Sequence, residues 1–261
     1  MKYSIRSIFI APKGSQFLSM DLKQAESYIV AFSAREENMK QALQHDDIHL
    51  LTASILFDKP KTEITKDERY VGKRFNHALA YRMSAERAYQ VFNKDAQLSG
   101  VTLPLAKVKI YRDKWHDFYR IKEWWTSLEN KLNQDRTLTT VYGRSRTFYG
   151  RWGDELFKEA TAYIPQSTVA DHTNGYVQPE LGIEGGLLGI HKWTKKNAGC
   201  RLVHQGHDSL MLEIPINREK EIAPEVVKLL KRPMMILGEI FTIPVDVDYG
   251  ERFGELCKME M

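Results

Sequence analysis

Hydrophobic and polar positions along the chain follow two periods, and the switches between them mark out the elements. Residues 16–20 read Gln-Phe-Leu-Ser-Met, a short apolar run that predicts a strand ending at Asp21. Over 24–34 the period lengthens, with Ala25, Tyr28, Ile29 and Phe32 on one helical face. A further helix is expected over 48–57, stopping before Pro60. The next helix has the best-marked start. Thr65 and Glu68 form a capping box, in which each side chain takes the other residue's amide, and the helix is predicted to run to about Asn93. Pro104 precedes an aromatic-rich helix over 107–132 that carries Trp115, Phe118, Trp124 and Trp125. Residues 137–149, rich in Thr, Tyr and Val around Gly143, predict a hairpin.

A helix over 155–176, broken near Pro165, is expected next, then a glycine-rich loop over 181–189 and a helix to about Asn197. Two strands, 200–203 and 209–214, flank the turn His204-Gln-Gly-His-Asp208. In the second, Leu210, Leu212 and Ile214 alternate with Met211 and Glu213, as in a half-buried antiparallel strand. Strands far apart in sequence with helices between them predict an α+β fold, a small antiparallel sheet with helices segregated around it. No repeat, low-complexity tract or linker interrupts the 261 residues, enough for one large or two modest domains.

Composition narrows the classes. The chain is 43% hydrophobic and 28% charged, with a net charge of +4, which permits a polyanionic partner without demanding one. Two cysteines, Cys200 and Cys257, make no CxxC pair, so a disulfide scaffold is not expected and a reducing, cytoplasmic compartment is. No apolar run approaches the ~20 residues of a membrane span, and the N-terminus lacks a signal-peptide pattern, so no membrane partner is expected.

Three constellations carry candidate chemistry. In the first, Asp21 closes an apolar strand at the start of Asp21-Leu22-Lys23-Gln24-Ala25-Glu26. A carboxylate on such a rigid edge, with a neighbouring backbone carbonyl, can hold a hard divalent cation, although a helix N-cap aspartate reads the same way. In the second, Arg69, Lys73, His77 and Tyr81 recur every four residues on one face of the capped helix. Cations at the positive end of a helix dipole are unfavourable unless an anion is present, and a triphosphate would supply it; a solvated basic face is the plainer alternative. In the third, the turn before Ser209 pushes the Asp208 carboxylate out of the sheet. His204 and His207 beside Cys200 raise a zinc hydrolase as a rival, but their spacing falls in a turn and no second cysteine is near. His45 to His49 raises the same suspicion and reads instead as a loop opening a helix.

Taken in order, these segments resemble motifs A, B and C of family A DNA polymerases, the bacterial polymerase I-like class. Residues 6–12 resemble the lead into motif A, Asp21 to Glu26 motif A, Asp47-Ile-His49 the start of the stretch before the fingers, and Arg69 to Ser84 motif B. Gly143-Arg-Ser-Arg146 is similar to the family's GRR-type hairpin, Pro165 to Asp171 to its MQGTAAD stretch, and His207-Asp-Ser209 to the HDE of motif C. The resemblance implies a right-hand polymerase palm plus helical fingers, without a thumb. It implies palm over 1–45, fingers over 46–135 and palm again over 136–261. It implies template-directed DNA synthesis, with Asp21 and Asp208 as the catalytic carboxylates, holding two Mg²⁺ (Mn²⁺ can substitute) together with the Leu22 carbonyl.

Further roles follow from the same resemblance. Arg69 and Lys73 take the triphosphate, His77 stacks on the nucleotide, Tyr81 packs near the templating pair, and Glu26 is the steric gate against a ribose hydroxyl, with Gln24 in the same shell. Asn76, Arg144, Arg146, Lys158, Gln166 and His207 contact primer–template DNA. Three positions depart from the pattern: His77 stands for Phe or Tyr, Arg82 for Gly, and Ser209 for the Glu of motif C. Residues 181–197 align with nothing in the family. The thumb and exonuclease-like segments precede the palm in this family, so a split, phage-encoded enzyme is expected, with a second polypeptide carrying the thumb and the exonuclease domain. Its rivals are a catalytically inactive, polymerase-derived DNA-binding or structural subunit and a single-subunit RNA polymerase, against which Glu26 speaks.

Overall fold

A computed structural model describes residues 5–94 and 102–260. The chain divides into two compact units: residues 1–25, 140–144 and 167–261 form unit 1, and residues 26–139 and 145–166 form unit 2.

Unit 1 is built on a five-stranded antiparallel sheet. Its strands are β1 (Ser15–Leu22), β4 (Arg201–Gln205), β5 (Ser209–Pro215), β8 (Val245–Gly250) and β9 (Cys257–Lys258), in the order β4-β5-β1-β8-β9. The small pair β6 (Met234–Ile236) and β7 (Glu239–Phe241) lies outside it. β1 is central, and its alternation decides both faces. Leu18, Met20 and Leu22 are fully buried on one face. The helix α10 (Glu219–Leu230), with Ile222, Ala223, Val226 and Leu230 buried, packs on β1 and β8. On the other face Phe17 is covered by Ala11, Met211, Phe253 and Leu256, whereas Asp21 is exposed. β1 runs on past Asp21 to Leu22, so the aspartate lies inside the strand rather than at its end.

Unit 2 is helical, apart from the short hairpin strands β2 (Thr137–Thr139) and β3 (Ser145–Thr147). It holds α1 (Ala25–Ser33, from Glu26 on), α2 (Glu37–His45), α3 (Ile48–Phe57), α4 (Lys66–Ala80), α5 (Ala85–Lys94), α6 (Leu105–Phe118) and α7 (Lys122–Asp135). The expected capping box is present: the Glu68 amide donates to Thr65 Oγ1 at 3.2 Å and the Thr65 amide to Glu68 Oε2 at 2.9 Å. The helix expected to reach Asn93 is instead two. Arg82 takes a left-handed backbone with φ 62°, and the Ser84 hydroxyl then accepts the Arg87 amide at 3.2 Å to start α5. The helix expected over 107–132 also divides. Tyr119 turns extended, which buries its ring fully and brings its hydroxyl 3.0 Å from Thr52 Oγ1. Conversely, α8 (Asp154–Asn174) runs through Pro165 unbroken; the proline removes one backbone donor, and the turns on either side carry the helix. Its first part belongs to unit 2 and its last to unit 1. The helix expected after the glycine-rich loop is α9 (Gly186–Thr194), in unit 1.

His172, on α8, is fully buried in unit 1. Nε2 lies 3.0 Å from the Leu230 carbonyl, which can only accept, and Nδ1 lies 2.6 Å from the Tyr142 hydroxyl. The neutral ring therefore donates through Nε2 and accepts through Nδ1. Burial, with Arg232 adding to it, lowers the His172 pKa to about 3. An unfolded histidine takes a proton near pH 6.5, so between these values the unfolded chain binds more protons and stability falls as pH drops. We expect the urea midpoint to decline from pH 7 to pH 4.5, and His172→Gln, although less stable at pH 7, to show a shallower decline by up to about 1.4 kcal/mol per pH unit. An unchanged slope in the variant would refute the assignment.

Candidate active site

In unit 1 the strand register assembles a row of oxygen donors. Asp21 stands opposite Ser209 on β5 and opposite Asp246 on β8, and Ser19 stands opposite Asp248. The Leu22 amide donates to the Asp208 carbonyl at 2.9 Å, extending the pairing to the turn and fixing Asp208 beside the end of β1. Asp21, Asp208, Asp246 and Asp248 line one cavity of about 580 Å³, together with His204, His207 and Ser209. The two aspartates read from sequence are thus brought together. Asp246 and Asp248 were missed, although Val-Asp-Val-Asp at 245–248 alternates with period two, the available signal. Like charges directly opposite one another are destabilising, and Lys258 Nζ, 3.4 Å from Asp246 Oδ1, offsets part of this. Gln24, in the tight link to α1, has φ 56° and is half-buried.

His207 is exposed at the same turn. Arg144 places Nη2 2.5 Å from Oδ1 of the fully buried Asp171 and its guanidinium 5.5 Å from the Tyr176 ring centre. Burial raises the Asp171 pKa, against the lowering effect of Thr140 and Arg144. Arg144 is thereby held in one pose with its outer part in solvent.

In unit 2, α4 presents two faces. Arg69, Lys73 and His77 point outward, and Val71, Gly72, Phe75, Asn76 and Leu79 inward. Gly72 sits against α3, where a Cβ would collide with the His49 carbonyl and the Ala53 amide, so no other residue lets these helices approach. That approach sets Asp47, the N-cap of α3, beside Arg69: Arg69 Nε donates to Asp47 Oδ2 at 2.8 Å. Burial pushes the Asp47 pKa up, but Arg69 and the His49 and Leu50 amides outweigh it, and the net shift is down. Lys73 and His77 line a cavity of about 420 Å³ with Tyr70, Arg74, Met83 and Phe92. Tyr81, the C-cap of α4, donates its hydroxyl to the Glu26 carboxylate; burial first, and that carboxylate second, raise its pKa. Arg146 pairs with Glu159 across the Phe148 ring face, Lys158 lies 2.9 Å from Glu155, and Gln166 is exposed.

Asn76 departs from the expectation of a DNA contact. It is buried, and its amide is fully engaged. Oδ1 accepts from Thr52 Oγ1 at 2.9 Å and Trp115 Nε1 at 2.8 Å, and Nδ2 lies 3.1 Å from His49 Nδ1. With its hydrogen committed to Asn76, Thr52 accepts from Tyr119. Burial foremost, then the nearby His77, lowers the His49 pKa to about 3, in keeping with a ring that accepts at Nδ1. Asn76 is a core residue that fixes α4 on α3 and α6.

The fold of the whole chain is that of a polymerase domain. The POL domain of Pol1 from M. smegmatis, solved in complex with DNA primer-template and dNTP, superposes with a TM-score of 0.74, covering 97% of this chain and 43% of that one at 21% identity. The family model for DNA polymerase family A matches residues 1–255, and the chain belongs to that family. It is 30% identical over 251 residues to DNA polymerase I of Aquifex aeolicus and 25% identical over 255 residues to the thermostable DNA polymerase I of Thermus aquaticus. It spans 40% and 28% of their respective lengths. No helix among the described residues is long and apolar enough to cross a membrane.

Replacing Asn76 with alanine strands the Trp115 and Thr52 donors in the core. Urea unfolding should show a loss of about 1–3 kcal/mol, the cost of unsatisfied buried groups, and a loss below ~0.5 kcal/mol would mean that Asn76 is not the centre of this network.

Proposed function

We propose that the chain performs template-directed DNA synthesis, adding deoxynucleotides to a primer 3′ end, as the catalytic part of a family A polymerase. The observation that carries this reading is the placement of Asp21 and Asp208 together on the open face of the unit 1 sheet. In the reaction the primer's 3′ oxygen attacks the α-phosphorus of the incoming nucleotide, its proton is lost, and pyrophosphate leaves from the opposite side.

The donor set fits a divalent cation of the magnesium type. Among the described residues no group of three or more His, Cys, Asp or Glu side chains could by itself cage an ion. Mg²⁺ is ordinarily held by one or two carboxylates, with water and substrate phosphates completing the shell. Asp21, Asp208 and the Leu22 carbonyl supply hard oxygens of that kind. Two such ions, when bound, make the 3′ hydroxyl more acidic and neutralise the leaving pyrophosphate.

The remaining roles belong to the chain's own side chains. Arg69 and Lys73 clamp the triphosphate, with Arg69 passing from Asp47 to phosphate as nucleotide arrives. His77 lies against the nucleotide, and Glu26, held by the Tyr81 hydroxyl, closes the space a ribose 2′ hydroxyl would need; Gln24 shapes the same neighbourhood. Arg144, Arg146, Lys158, Gln166 and His207 grip the primer–template, chiefly through phosphates, so binding is sequence-independent and weakens with salt.

Primer extension with Mg²⁺ and dNTPs, comparing the wild type with Asp208→Ala, tests the reading. We expect the variant's rate to fall at least about a hundredfold, the scale on which removal of one electrostatic stabiliser acts, with primer–template binding retained. Extension that survives the substitution would overturn the assignment of Asp208. A wild type that binds DNA but extends no primer would favour the inactive subunit, a reading to which Ser209 in the motif C position lends weight.

A further inference from the structure

The end of α4 is closed in an unusual way. The Met83 amide reaches back to the Ala78 carbonyl at 3.1 Å and the Arg82 amide to Leu79 at 3.2 Å, with Arg82 between them at φ 62°. This is the left-handed helix stop at which glycine is normally found, because a side chain there strains the backbone. An arginine at such a position needs compensation, and its side chain finds it on two other helices of unit 2. The guanidinium lies 5.2 Å from the ring centre of Trp125 on α7 and 5.5 Å from that of Phe157 on α8. Nη2 lies 2.5 Å from Glu129 Oε1, one helical turn beyond Trp125. Nη1 is buried with no hydrogen-bond partner among the described residues, so the group is held by ring faces and one carboxylate rather than by solvent.

The residue just before it is Tyr81, whose hydroxyl donates to Glu26. Any rotation of the α4 terminus moves the tyrosine and, through it, the carboxylate. We infer that Arg82 is a positioning residue that clamps the end of α4 to α7 and α8 and so fixes the Tyr81–Glu26 pair, setting how strictly the enzyme selects a deoxyribose over a ribose. The inference rests on the sugar-gate role proposed above for Glu26. Arg82 itself touches no reacting atom. Its side chain supplies rigidity where glycine would leave the helix end free to turn.

Two variants separate this from general stabilisation. Arg82→Gly keeps the left-handed stop without strain and removes the clamp; Arg82→Lys keeps a cation for Glu129 but loses the planar face that lies on the rings. Amide hydrogen exchange at residues 79–83 of the free protein reads the clamp without any need for activity. Single-nucleotide incorporation reads its consequence, as the ratio of dNTP to rNTP kcat/KM. We expect Arg82→Gly to speed exchange and to lower the sugar ratio about 3- to 30-fold, the range that loss of such cation–ring contacts spans, with Arg82→Lys falling between it and the wild type.

Unchanged exchange in Arg82→Gly overturns the clamp. Faster exchange with an unchanged sugar ratio, in an enzyme that extends primers, overturns the positioning role while leaving the polymerase reading intact. A wild type that extends no primer overturns the polymerase reading and the positioning role with it, and exchange then reports packing alone. Should Arg82→Gly not fold, an Arg82→Lys variant indistinguishable from wild type in both measurements refutes the proposal.

Discussion

A residue on the central strand of an antiparallel sheet is opposed on both sides, and what stands opposite Asp21 governs the rest of unit 1. The neighbours are Ser209 and Asp246. Because side chains alternate, putting Leu18, Met20 and Leu22 into the core sends Asp21 to the other face without further choice. A slip of one residue would bury the carboxylate and expose the leucines, so the apolar run fixes the register and the register fixes the site. The same face is sealed further along by Phe17, Met211, Phe253 and Leu256. Where the carboxylates stand, it is open.

In unit 2 the corresponding constraint is the close approach of α3 and α4 at Gly72. It brings the buried face of α4 against His49 and Thr52, where Asn76 ties both helices to Trp115 on α6. With that face fully committed, Arg69, Lys73 and His77 have only the outer face left. The two cations on this stripe, Arg69 and Lys73, repel one another, and Asp47 lowers the repulsion at the first of them. The aspartate caps α3 and pairs with α4 at once, so the same carboxylate that starts one helix keeps the first arginine of the other in place.

Much of this was legible in the chain. A short apolar run located β1, a period-two run located β5, the Thr65 and Glu68 pair located the start of α4, and the ordered motifs carried the family. What was not legible has physical causes. The break after Tyr81 depends on an arginine in a left-handed conformation, which propensity alone argues against, since the compensation comes from Trp125, Glu129 and Phe157, far away in sequence. The break at Tyr119 is imposed by burial of its ring, again a long-range effect. At Pro165 the difference runs the other way: a local rule predicts a break, and the helix runs through it unbroken. The resemblance implies a DNA contact for Asn76, whereas its position in the four-residue repeat, one place before His77, turns it inward.

The departure at Ser209 has an electrostatic reading that the sheet supplies. A glutamate there would face Asp21 directly across the pair, while Asp246 faces it from the other side, and like charges opposite one another in a sheet are unfavourable. Serine leaves Asp21 with one acidic neighbour on the ladder instead of two, and that neighbour has Lys258 at 3.4 Å to offset it. This face also carries acidity on β8, where Asp246 and Asp248 line the same cavity as Asp21 and Asp208. The loss of a carboxylate in motif C therefore does not leave the cavity poor in negative charge, because the strand on the other side of Asp21 already carries it.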